Sequence, residues 1–545
     1  MLKQSMEKKK ETKSPVDRWF WIVVSLSVVF ASMACVQDTV SVSLLSETRE
    51  ALQAMVEDSE IVLPTEPPVI SEESEVLPPG PLAEGQGNEL EWEADFTPEP
   101  EVIPTVSLET SDGLRYLSLN GDTIRSVAAR FGVMESEISG AGGLSKNYYL
   151  PVGTALTIPS RLGDTSLPDI LFPDSELIYS PSASDFDVVD YVRGTSGYLS
   201  EYNESTSDGY LSGGEIVARV ALKYSINPRL LLTLLEYQSG WLTNPAPNAN
   251  DRQYPLGYIE KNHVGLEKQL NWACAELTTG YYGWRSGRFL YLTFPNGGSL
   301  RISPYLNAGT VGLEYFFTRT RNVEAWFEAL YGGNSMLELH SVLFGDFWSR
   351  SKTVEPFLSG QLSTPTMELP FQLGHSWNYT GGPHEVWGDG STFAALDFAP
   401  MGVTGCSESN EWITAMMSGM IIRSEEATVV LDADMDGNEQ TGWVVFYYHV
   451  KTSGRIPTGV VVEQGDNIGH PSCQGGNSTG THTHIARKYN GEWIAAGEAG
   501  APWVMSGWMA QNGPASYQGL LVKNEAIIKS SRVSSFESSV LRSSN

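Results

Sequence analysis

A chain of 545 residues with 15 Trp, 23 Tyr and 19 Phe, and 41% apolar residues, is too long for one hydrophobic core and predicts several domains. Its formal net charge of −30 excludes nucleic acid as a partner, because holding a polyanion requires a basic footprint.

At the N-terminus, Lys3, Lys8, Lys9, Lys10, Lys13 and Arg18 precede an apolar run from Trp19 to Val36. Positive charge ahead of an apolar stretch keeps the terminus inside and sends the rest of the chain across a membrane. Residues 1–36 therefore read as a signal anchor, or as a lipoprotein signal ending Ser32-Met33-Ala34-Cys35 with Cys35 lipidated after cleavage. Either way the chain is expected outside the cytoplasm, membrane-anchored or secreted. From Val36 to Thr110, 18 Asp/Glu stand against the single cation Arg49, a net of −17, and nine prolines interrupt the stretch. Such a composition buries too little apolar surface to offset ordering entropy, so 37–110 reads as a disordered, self-repelling linker.

In 111–160, Tyr116-Leu117-Ser118-Leu119 alternates like a short strand, and Asn120-Gly121-Asp122-Thr123 is a turn and cap signal. Ile124, Val127, Ala128 and Phe131 then recur at helical spacing, and Leu150 to Pro159 reads as a turn and a second strand. The Gly-Asp-Thr-Ile entry, the Ala-x-x-Phe-Gly-Val helix end and the Val-Gly-Thr-x-Leu-x-Ile-Pro exit resemble a lysin-motif (LysM) domain. That resemblance implies a small βααβ fold that binds N-acetylglucosamine-containing glycan such as peptidoglycan. Where the family has an Asn after the second helix, this chain has Gly140-Ala141-Gly142-Gly143.

Residues 161–184 are expected to form a linker, and 185–359 a mainly α domain. Asn227 and Pro228 are cap and first-turn signals for a helix that runs to Gln238-Ser239-Gly240, and Tyr305-Leu306-Asn307-Ala308-Gly309-Thr310 follows later. Both pieces resemble lysozyme-like lytic transglycosylases, whose helix ends in Glu-Ser-Gly with the Glu as general acid. Here that position is Gln238, an amide with no proton to give, and Glu236 lies about 200° round the helix. The expectation is a domain that positions glycan or is purely structural, without glycosidase activity.

Five of the eight histidines fall between His384 and His484. Glycine-rich turns separate short apolar runs through 360–525, which argues for antiparallel β structure. On a strand, residues i and i+2 share a face, so His482 and His484 would send two imidazoles into one cavity. A catalytic zinc needs three protein ligands and one open position. His384, Asp397 and His484 can supply the three, which leaves His482 and His449 beside a water whose pKa the zinc lowers to about 7. The ordered set His384, Asp397, His449, His482, His484 resembles the lysostaphin-like zinc endopeptidases of the β-lytic/staphylolysin type. Most of that superfamily uses His-x-x-x-Asp, but Phe393 occupies the first position here; His384, thirteen residues before Asp397, fits the β-lytic variant. The resemblance implies one zinc per chain held by His384, Asp397 and His484, with His449 and His482 catalytic. His375 is a rival first ligand, and His470 is expected in a loop.

Three further features lie near or beyond this set. Asp432, Asp434 and Asp436 with Gly437 match the start of a calcium loop, but Trp443 stands where a Glu would close it, so an acidic hairpin turn is the alternative. Cys406 and Cys473 are expected to pair, whereas Cys274 reads as a packed helical cysteine. Residues 526–545 are Ser-rich and read as a disordered tail. The whole predicts a multidomain, wall-associated zinc metalloendopeptidase that cuts peptide cross-links of peptidoglycan while other modules hold the glycan. A catalytically inactive wall-binding protein that recruits other hydrolases is the alternative.

Overall fold

The structure, a computed structural model, describes residues 109–543 apart from 111, 112, 141, 207, 208, 359, 361, 389 and 391. The chain divides into two compact units, Met1–Phe96 and Thr97–Asn545, and the first lies wholly outside the described residues. So do the expected anchor or lipoprotein signal with Cys35 and nearly all of the acidic linker. No helix among the described residues is long and apolar enough to cross a membrane.

Strand β1 (Gly113–Leu117) pairs antiparallel with β2 (Ala155–Ile158), and helix α1 (Ile124–Phe131) packs on them. A capping box between Thr123 and Ser126 starts α1, and Gly132 in the left-handed region ends it. Tyr116, Val127, Phe131, Leu156 and Ile158 form the small core. The expected second helix is instead a single 3-10 turn, Glu135–Glu137, because the glycine-rich stretch that follows has no helical period.

The next part is helical. Its main elements are α2 (Gly213–Tyr224), α3 (Pro228–Ser239), α4 (Leu266–Arg285) and α5 (Ala308–Thr318). Asn227 caps α3 through its side chain, Pro228 takes the first turn, and Gly240 closes it with φ 66°. Cys274 sits on α4, buried and unpaired. The segment 161–184 is not a linker. Asp174–Leu177 is a short helix, Phe172 and Leu177 are fully buried in the helical core, and Asp174 accepts from Asn307 and from the Gly309 amide. Its apolar residues are too few to show a period, so only packing reveals their role.

The third part is a nine-stranded antiparallel sheet. Its strands are β3 (Ser376–His384), β4 (Ala395–Pro400), β5 (Gly419–Glu425), β6 (Thr428–Asp432), β7 (Trp443–Tyr448), β8 (Val461–Val462) and β9 (Thr483–Tyr489), with Glu492–Trp493 paired to β9. A second sheet holds β10 (Val504–Met505), β11 (Trp508–Asn512), β12 (Gly519–Lys523) and β13 (Ala526–Lys529). Strand β14 (Ser539–Leu541) completes the large sheet at its edge, giving the order β8-β5-β6-β7-β9-β4-β3-β14. Residues 526–545 are thus not a disordered tail: β13 and β14 are ordered strands, and Val540 is fully buried against Trp377.

The large sheet is covered on both faces, which accounts for the unbroken apolar run of β7. Leu396, Phe398, Val445, Tyr447 and Ile485 share a core with Trp503, just ahead of β10, and with Met505 on it. Ala395, Val444, Phe446 and Ala486 belong to the same core as the helices. By strand alternation Asp397 and His484 stand on that helix-facing side, further along the strands.

Candidate metal centre

Sheet register brings the ligand candidates together. His484 on β9 is directly opposite Asp397 on β4, and Tyr448 is opposite His484 on its other side. His384 ends β3, where two irregularities in its pairing with β4 swing the strand end. Asp397 Oδ1 lies 3.4 Å from His384 Nε2 and 3.2 Å from His484 Nδ1, and those nitrogens are 3.1 Å apart. Donors bound to one cation at about 2.0–2.1 Å in a tetrahedron stand about 3.3 Å apart, so the three fit a single zinc. All three residues are buried.

Backbone carbonyls fix the rings. His384 Nδ1 donates to the Gly382 carbonyl at 2.7 Å, His482 Nδ1 to that of Gly480 at 2.7 Å, and His449 Nδ1 to that of Gln474 at 2.8 Å. In the neutral tautomer that these bonds select, Nε2 is the atom left to bind a metal or accept a proton. His482 Nε2 is 3.7 Å from Asp397 Oδ1, and the His449 and His482 rings are 4.5 Å apart. Two further imidazoles therefore border the three donors without completing the set. His449 adopts φ 62°, a strained turn that sends its ring inward from the end of β7.

The electrostatics follow from burial and contact. Burial opposes charge on Asp397, but the His384 and His482 imidazoles outweigh it and hold the carboxyl well below its usual range. Burial lowers the pKa of His484 and, with His482 adding to it, pushes His449 down to about 3, so both rings are neutral at ordinary pH. Burial also works against charge on His384, yet the Asp397 carboxylate raises its pKa; a divalent cation competes for that nitrogen.

Two glycines permit the approach. A Cβ at Gly381 would stand 2.4 Å from Asp397 Oδ2, and one at Gly382 would strike the Gly519 amide at 2.4 Å. Gly382 in turn donates to the Tyr517 carbonyl at 2.9 Å, and the Tyr517 ring stacks on His384 at 4.0 Å. Tyr517 thus orients a ligand from the loop between β11 and β12, and nothing in its local sequence marks it. His375 pairs with Glu411 at 2.7 Å and His470 donates to the Glu411 carbonyl, so neither joins the cluster. The Cys406–Cys473 disulfide forms, and Thr481, beside His482, bonds to Gly405 and Ser407 next to it. Asp432, Asp434 and Asp436 gather separately, in the connection between β6 and β7.

Two imidazoles and a carboxylate closing on one point, with two spare imidazoles beside them, form a donor set that could hold a single metal ion. Residues 170–356 match the family described as LasA, N-terminal domain, rather than the transglycosylases that part of the stretch resembles. Protease LasA of Pseudomonas aeruginosa is 27% identical over 359 residues, covering 61% of this chain and 78% of that protein. Beta-lytic metalloendopeptidase of Achromobacter lyticus is 29% identical over 135 residues, 23% of this chain and 34% of that one. Among solved structures, the M23 metalloprotease pseudoalterin is 24% identical with a TM-score of 0.26, over 31% of this chain and 96% of its own. The catalytic domain of lysostaphin from Staphylococcus simulans is 21% identical with a TM-score of 0.17, over 22% and 88%. The chain is thus similar to LasA over 61% of its length, and by reaction class it is a zinc metalloendopeptidase.

Proposed function

We propose that this metalloendopeptidase hydrolyses peptide cross-links of bacterial peptidoglycan outside the cytoplasm, with His384, Asp397 and His484 holding the zinc and His449 and His482 serving the reaction. The observation that carries the reading is the 3.1–3.4 Å spacing of the three donors, with two more imidazoles at their side. Zinc supplies the electrostatic pull that acidifies water and polarises a scissile carbonyl. Asp397 keeps its charge and so balances the cation. His449 or His482, each with Nδ1 bonded to a backbone carbonyl and Nε2 left as acceptor, takes the proton released when water attacks. Once protonated, the same nitrogen donates to the oxyanion or to the leaving amine.

The remaining modules fit a wall enzyme. The strand-helix-strand unit at 111–160 keeps the antiparallel pair expected of a glycan-binding LysM domain. The helical part positions glycan without cutting it: Gln238 Oε1 accepts from Arg321 at 2.8 Å, where a glycosidase would need an acid. A cavity of about 610 Å³ adjoins the loop between the first two ligands and is lined by Arg125 of the LysM-like unit, Arg288 and Phe289 just after α4, Glu385 and Phe393 of that loop, and Trp493 of the strand paired to β9. The N-terminal segment tethers the assembly to a membrane.

Metal analysis combined with digestion of purified peptidoglycan by the full chain tests this. Wild type should carry about one zinc and release new amino termini. His484→Ala should lose the metal, whereas His482→Ala should keep it without activity. A wild-type chain that binds no zinc, or that digests wall as well after His482→Ala, rules the proposal out.

A further inference from the structure

The acidic connection between β6 and β7 is separate from the zinc site and plays no part in the chemistry above. Asp432 ends β6, and Asp434 and Asp436 follow on the loop; carboxylate oxygens of all three lie within 4.8 Å of one another. Like charges this close repel unless something positive lies between them. Among the described residues no cationic side chain pairs with the three aspartates; the Thr441 hydroxyl donates to Asp436 Oδ2 at 2.6 Å, and the Asp436 and Asn438 amides donate to Asp434 and Asp436.

Asp432 gives the second, independent indication. It is fully buried, its Oδ2 accepts from the Gly437 amide at 2.9 Å, and its Oδ1 accepts from no donor. An isolated buried carboxylate oxygen carries a large desolvation cost unless a hydrogen bond or a cation meets it. Gly442 lets the loop close, since a Cβ there would stand 2.2 Å from Asp434 Oδ2.

We propose that the connection between β6 and β7 is a calcium site in which Asp432, Asp434 and Asp436 are the carboxylate ligands. Three hard oxygen donors on a loop suit Ca²⁺, with its irregular shell of six to eight oxygens. Zinc prefers the nitrogen-rich set at His384 and His484. Trp443 stands where a bidentate Glu would close a full loop, so affinity belongs at the weak end, with Kd about 10⁻⁵–10⁻³ M. The ion would fasten the hairpin whose second strand, β7, delivers Tyr448 and His449, and its effect would be on stability.

The full chain, stripped of divalent ions and reloaded with one equivalent of zinc, is titrated with calcium chloride by calorimetry while its melting temperature is followed. Saturable binding of about one Ca²⁺ per chain and a rise of a few degrees in Tm are expected. Asp434→Asn and Asp436→Asn should each weaken binding about tenfold or more while leaving the zinc content unchanged. Both residues are exposed, so these variants fold even where a change at buried Asp432 would not. Absence of saturable calcium binding, unchanged binding in both variants, or equal affinity for magnesium chloride overturns the assignment.

Discussion

Single residues carry the chemistry here because burial decides their charge. Glu314 on α5 shows the effect away from the metal. It is fully buried, its Oε2 has no partner, and the Tyr331 hydroxyl donates to Oε1 at 3.3 Å. Burial outweighs that bond and lifts its pKa from 4.5 to about 8. The folded chain therefore binds a proton that the unfolded chain has released between those values. The stability is present below 4.5 and is lost as pH rises towards about 8, at about 1.4 kcal/mol per unit. Glu314→Gln keeps the shape and cannot ionise, so denaturant titrations at about pH 5 and about pH 8 should differ less for the variant than for wild type. Identical pH dependence would show that Glu314 ionises freely. The metal residues were legible where this buried acid was not, because imidazoles at fixed intervals state their chemistry in type and order. Glu314 sits in an ordinary helical pattern, and Tyr517 meets His384 only through a loop at the far end of the chain.

Elements were legible where period or caps were strong and obscure where one or two residues do the packing. Helix α3 starts at the expected Asn227-Pro228 cap, and β9 carries His484 of the expected His-x-His strand, although it begins at Thr483, one residue after His482. The C-terminal strand was missed because five of the eleven residues from Ser535 to Asn545 are serine and only Phe536, Val540 and Leu541 are apolar. Yet Val540 is fully buried, β14 pairs with Ser376, Trp377 and Asn378, and Arg542 donates to the Phe371 carbonyl at 2.6 Å and to Thr414 at 3.0 Å. Removing residues 535–545 deletes that strand from the edge of the strand that ends in His384. Burial of the Val540 side chain alone is worth about 1.5–3 kcal/mol. The truncated chain should unfold at lower urea and bind zinc more weakly; an unchanged midpoint would mean that the strand contributes nothing.

At the scale of the molecule, the boundaries that composition suggests do not coincide with the boundaries of packing. The helical part and the large sheet share one apolar core, and Arg285 on α4 ties three parts together. It donates to the Asn120 carbonyl of the strand–helix–strand unit, pairs with Asp174 before the main helices at 2.9 Å, and pairs with Glu492 beside β9 at 3.1 Å. Arg285 is nearly fully buried and Asp174 and Glu492 more so, so losing the guanidinium strands two buried carboxylates, at a cost of about 3–5 kcal/mol. Cores joined in this way should unfold together. Scanning calorimetry of the full chain should show one transition for the helices and the sheet, with calorimetric and van't Hoff enthalpies in agreement. Arg285→Met should lower that single transition by several degrees without splitting it, because each part rests on the other. Two resolved transitions in wild type would mean that the shared core does not couple the parts, and the helical region would then be an independent domain.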